Sequence, residues 1–90
     1  MTSAARQLEI LNQRGLHARA AAKFVKTASA FEAKIDVCHG GTEVCGTSIM
    51  GLMMLAASKG SVISVHATGE DAEAAVGALA MLVRNRFDED

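Results

Sequence analysis

The chain has no tryptophan and no tyrosine, and only three of its 90 residues are phenylalanine. A core must therefore be built from Ala, Val, Leu, Ile and Met. No apolar run approaches the ~20 residues of a membrane-spanning helix, so no membrane partner is expected. The opening "MTSAARQLEILNQ" lacks the apolar centre of a secretory signal, which points to a cytoplasmic location. Two cysteines without such a signal read as reduced thiols rather than a disulfide framework. Net charge is −1, which shows no electrostatic footprint for nucleic acid, and no nucleic-acid partner is expected.

Half of the residues are apolar and 21% are charged, an ordinary globular balance. Residues 1–90 are expected to form a single domain that buries about 60–65% of its extended surface. No repeat, low-complexity segment or linker interrupts it.

"QLEILN" (7–12) alternates with Leu8 and Ile10 on one face and reads as a strand, which Arg14-Gly15 ends. From Ala18 to about Ala30, Ala21, Phe24, Val25 and Ala28 recur at helical spacing, with Lys23 and Lys26 on the outer face. "AKIDVCHGGTEVCG" carries a hairpin signal around Gly40-Gly41, with His39 facing Thr42 and Val37 facing Val44. "TSIMGLMMLAASKG" follows as a helix with Ser48 or Thr47 as N-cap and Gly60 as its stop. Its expected inner stripe is Ile49, Leu52, Met53 and Ala56, with Met50 and Met54 outward. "SVISVHA" is a further strand, with Ile63 and Val65 inward and His66 on the surface. The last helix follows an acidic start and carries Ala72, Ala75, Val76, Leu79 and Leu82 or Val83 inward, while the tail "DED" is expected to be frayed and solvated. The order is β-α-β-β-α-β-α. Its economical packing is an α+β two-layer open-faced sandwich, a four-stranded antiparallel or mixed sheet covered on one face by three helices.

"NQRGLHARAAAKF" places His17 and Arg19 at a helix entrance. The backbone amides there have no partner inside the helix and, with the positive end of the helix dipole, make an anion site. The dipole disfavours an imidazolium, so a neutral ring able to attack through nitrogen is expected. Once phosphorylated the residue carries an anionic phosphoryl group, which the helix end favours. Arg19 can supply a charge-assisted partner for phosphate oxygens. On spacing alone, His17 serves equally well as a helix cap and Arg19 as a surface charge. Cys38, His39 and Cys45 do not make a metal site, because the hairpin points the cysteines to one sheet face and the histidine to the other. The cysteines sit diagonally, about 7–8 Å apart, too far for an easy disulfide. No second acid or base and no glycine-rich phosphate loop accompanies His17. The chain therefore needs a partner enzyme for its chemistry, and no cofactor is expected.

"GLHAR", followed in order by "TSIMGLMML" and "KGSVISVHATGEDAEAAVGAL", resembles the HPr family, the histidine-containing phosphocarriers of the bacterial phosphoenolpyruvate-dependent phosphotransferase system, of the carbohydrate or the nitrogen-type branch. The resemblance covers nearly the whole chain and implies a mainly antiparallel sheet in a monomer. It implies that His17 accepts phosphate on Nδ1 from phosphorylated enzyme I and passes it to a IIA component, with Arg19 beside it and the amides of Ala18 and Arg19 stabilising the phosphate. It further implies that Ser48 is a position for regulatory phosphorylation by an HPr kinase. Ile49, Met50, Leu52, Met53 and Met54 are then the docking surface, Met being an adaptable contact residue. Where the family commonly has proline after the arginine, this chain has Ala20, which removes rigidity rather than chemistry. The rival reading is a regulatory module of the same fold, whose output is binding target enzymes and whose phosphorylation only tunes that binding.

Overall fold

The computed structural model describes residues 2–89. Its elements are β1 (Ser3–Glu9), α1 (Ala18–Ala28), β2 (Lys34–His39), β3 (Thr42–Cys45), α2 (Ile49–Met54), β4 (Val62–Thr68) and α3 (Ala72–Arg84), then a 3-10-type turn over Arg86–Asp88. The four strands form one sheet in the order β1-β4-β2-β3, and every neighbouring pair is antiparallel. The three helices cover one face of this sheet, giving the α+β open-faced sandwich.

Period-two alternation decides which face is covered. Leu8 on β1, Ile35 and Val37 on β2, and Ile63, Val65 and Ala67 on β4 all point into the core, while Gln7, Lys34 and His66 stay on the wet side. The hairpin register pairs His39 with Thr42 and Val37 with Val44, across a turn in which Gly40 (φ 56°) and Gly41 (φ 84°) both take left-handed backbone. The β1 ladder starts earlier than the alternation of residues 7–12 indicates and stops at Glu9. Its first residues are largely exposed and give no burial pattern. Ile10 lies beyond the ladder yet is buried, held by backbone bonds with Ser61 and Gly60.

Helix α1 closes at Ala28, with Ala20, Ala21, Phe24 and Ala28 buried and Val25 only half-buried. Helix α2 departs more from its expected form. It ends at Met54, and Ala56 (φ 52°), not Gly60, makes the left-handed exit. Leu52 and Leu55 point inward, whereas Ile49 and Met53, expected inside, are 41% and 42% exposed, and Ala56 is exposed. A helix of under two turns buries one narrow stripe, and two leucines fill it. Ser48 is its N-cap, its Oγ accepting from Gly51 N at 3.0 Å, a contribution of about 1 kcal/mol.

Helix α3 buries Ala72, Ala75, Val76, Leu79, Ala80 and Val83. Of the "DED" tail expected to be solvated, Asp88 is exposed, Glu89 is instead half-buried, and Asp90 lies outside the described residues. Arg86, Phe87 and Asp88 have φ of 57°, 54° and 60°, three consecutive left-handed residues without a glycine. Such a conformation costs about 1–2 kcal/mol per residue. It is sustained because it turns Phe87 back into the core, where it is fully buried. Replacing Phe87 with Ala is expected to lower stability by about 3–5 kcal/mol in urea unfolding. A loss below about 1 kcal/mol would show that burial of this ring does not anchor the turn.

Candidate functional site

Loop 12–17 is built by two close contacts. Gly15 has φ 65°, and a Cβ there would stand 2.4 Å from the carbonyl oxygen of Ala57, so only glycine fits. The adjacent Leu16 N donates to the same oxygen at 2.9 Å. These contacts pin the loop against the connection between α2 and β4 and fix where α1 begins. His17 is the N-cap of α1, with extended backbone (φ −80°, ψ −178°) and a carbonyl that accepts from Ala21 N. Its side chain does not cap the helix. The amides of Ala18, Arg19 and Ala20 therefore form an open helix start, since the first turn has no intrahelical acceptors.

The ring is engaged from a distant part of the chain. His17 Nε2 lies 2.7 Å from Glu89 Oε2, with the two side chains 24% and 14% exposed. Asn12, fully buried, donates from Nδ2 to Gly15 O at 2.8 Å and to Glu89 Oε1 at 3.0 Å. Lys23 Nζ donates to the carbonyl of Phe87 at 2.6 Å. Beside this cluster a shallow cleft of about 420 Å³ is lined by Gln13, Arg14, Arg19, Lys23, Asp88 and Glu89. Arg14, Arg19 and Lys23 give it a cationic wall. A helix start with open amides, a nucleophilic ring and three nearby cations can receive and hold an anionic group.

His17 and Arg19 lie together here, as their spacing suggests. Ser48 stands elsewhere, half-buried at the start of α2. Of the expected docking residues, Ile49, Met50, Met53 and Met54 are exposed, Met50 and Met54 by more than 70%. Leu52 is not part of that surface, because it is fully buried as one of the two leucines that seat α2 on the core. Cys38 and Cys45 sit diagonally across the hairpin, while His39, on the helix side, donates from Nδ1 to Leu55 O at 2.9 Å. Thr47 hydrogen-bonds the exposed Cys45 thiol and lowers its pKa.

Asn12, Lys23 and Glu89 escaped the sequence reading. Asn12 looked like the end of a strand, Lys23 like a solvated face and Glu89 like a frayed tail. The overlooked signal was Phe87, a large apolar residue set among charges after the last helix.

With this geometry in place, the comparisons define first a class and then a family. Residues 4–85 match the family model described as "PTS HPr component phosphorylation site". The chain is 50% identical over 84 residues to the phosphocarrier protein HPr of Xylella fastidiosa strain Temecula1, covering 93% of this chain and 94% of that protein. It is 43% identical over 89 residues to the phosphocarrier protein NPr of Shewanella violacea, covering 99% and 98%. The crystal structure of HPr-C-His from Thermoanaerobacter tengcongensis superposes with a TM-score of 0.90 at 43% identity, covering 100% of this chain and 99% of that one. The fold is that of a phosphocarrier of the phosphotransferase system. The chain belongs to the HPr family. Among the described residues, no helix is long and apolar enough to cross a membrane.

The Glu89 carboxyl is affected in opposite directions. Burial pushes its pKa up, but hydrogen bonds from His17 and Asn12 and the charges of His17 and Lys23 outweigh burial and hold it below the ordinary value. A depressed folded-state value stabilises the fold above the unfolded carboxylate pKa of ~4.3 and loses that contribution as pH falls through the lower value. In urea unfolding, wild type should therefore exceed Glu89→Gln in stability at about pH 5.5, with the gap narrowing steadily below about pH 4. A gap unchanged at about pH 3 would contradict this charge assignment.

Proposed function

We propose that His17 accepts a phosphoryl group on Nδ1 from phosphorylated enzyme I and passes it to a IIA component. The observation that carries this reading is the disposition of the ring: Nε2 is held by Glu89, while Nδ1 has no hydrogen-bond partner among the described residues. Arg19 and the amides of Ala18 and Arg19 stabilise the transferred group at the start of α1. Ala20, in place of the family's usual proline, retains an N–H that proline lacks and so offers one more donor at the same helix start. The exposed Ile49, Met50, Met53 and Met54 form an apolar patch on which enzyme I and IIA components dock in turn.

Ser48 is the regulatory position in this reading. A phosphate there adds about −1.5 to −2 charge beside the docking patch and displaces the bond from Gly51 N. An HPr kinase and the target enzymes of a binding response are the corresponding partners. The same patch also supports the second reading, in which binding of target enzymes is the output and phosphorylation tunes it.

The discriminating measurement is mass spectrometry of the chain incubated with phosphoenolpyruvate and enzyme I, with and without brief acid treatment. Wild type should gain an acid-labile phosphate that His17→Ala does not. Absence of that label, under conditions that phosphorylate an HPr of known activity, would remove the carrier reading and leave the binding module.

A further inference from the structure

The contact between Glu89 and His17 has a chemical role that depends on the carrier reading above. We propose that Glu89 is a positioning residue for phosphoryl transfer: its carboxylate fixes the ring tautomer that leaves the Nδ1 lone pair free, and it opposes the positive charge the ring acquires when Nδ1 is phosphorylated.

An ionised carboxylate only accepts hydrogen bonds, and each oxygen of Glu89 has its own donor. Asn12 supplies one of them. Its amide orientation is determined by the second bond from Nδ2 to Gly15 O, because a flipped amide would set Oδ1 against two acceptors. The other oxygen must then be met by a proton on His17 Nε2. A neutral imidazole carries one ring proton, so Nδ1 is left as the nucleophile. The carboxylate is aimed rather than floppy: two residues earlier Phe87 is buried in the core, and Lys23 ties down the Phe87 carbonyl.

The transfer step balances without any further reagent. The Nδ1 lone pair forms the new N–P bond while the bond from phosphorus to the donor's leaving atom breaks, and that electron pair leaves with the donor. Nε2 keeps its proton throughout, so the ring itself becomes cationic. Lys23, Arg14 and Arg19 all face this site and would raise the energy of a cationic ring, and Asp88 is the other anion on the cleft wall. Glu89 alone among them hydrogen-bonds the ring. A carboxylate behind a reactive histidine acts in the same way when it orients the imidazole and stabilises its cation in hydrolase triads.

The test compares wild type with Glu89→Gln and Glu89→Ala. Gln has one acceptor oxygen and one donor amide, so it keeps the size but cannot satisfy Asn12 and His17 together. Urea unfolding confirms that each variant is folded. Nitrogen-15 NMR of the neutral His17 ring reads the tautomer, and steady-state labelling by enzyme I and phosphoenolpyruvate reads kcat and KM. Wild type should be almost wholly the Nε2–H tautomer. In both variants the tautomers should mix and kcat should fall roughly tenfold, with KM within about twofold. Labelled wild type alongside variants of unchanged tautomer and kcat would overturn the proposal, and so would a rise in KM alone. Absence of label on wild type itself would instead sink the carrier reading, and this proposal with it.

Discussion

Burial of one aliphatic sheet face under three helices is the constraint that the rest of the molecule answers to. With no large aromatic residue beyond three phenylalanines, the sheet must be covered closely by small and branched side chains. Alanine lines the inner faces of α1 and α3 and lets both helices settle near the strands. Close approach in turn leaves little freedom in the connections. The loop before α1 meets the Ala57 carbonyl at a distance only Gly15 permits, and the helix start is thereby fixed in space. A histidine placed there is aimed by the core some distance away.

The electrostatics of the site follow from that placement. An open helix start favours negative charge, and Arg14, Arg19 and Lys23 add to the preference. A free histidine in such surroundings would be poorly supported whenever it bore positive charge. The fold answers by bringing a carboxylate to Nε2, on the side of the ring away from Nδ1.

Local pattern carried most of the fold. Alternation marked β2, β3 and β4, helical spacing marked α1 and α3, and Gly40-Gly41 set the hairpin register that the ladder adopts. Where reading failed, the cause was tertiary. Ile49 and Met53 are as apolar as Leu52, and only the contact with the sheet decides which residues of a six-residue helix turn inward. The early part of β1 hides because its strand is defined by pairing with β4, not by burial. His17 and Arg19 were legible since they are near neighbours in sequence. Glu89 was not, because nothing local in an acidic tail distinguishes a solvated carboxylate from one that reaches a histidine in another element.

That reach spans 72 positions of the chain. Every strand and helix of the sandwich is specified before Arg86, and N-terminal parts of a chain become available for folding first during synthesis. The sheet and helices can accordingly assemble around a histidine whose carboxylate has not yet left the ribosome. A chain cut short after α3 would keep most of its core and present the same loop and helix start to its surroundings, with the ring unclasped.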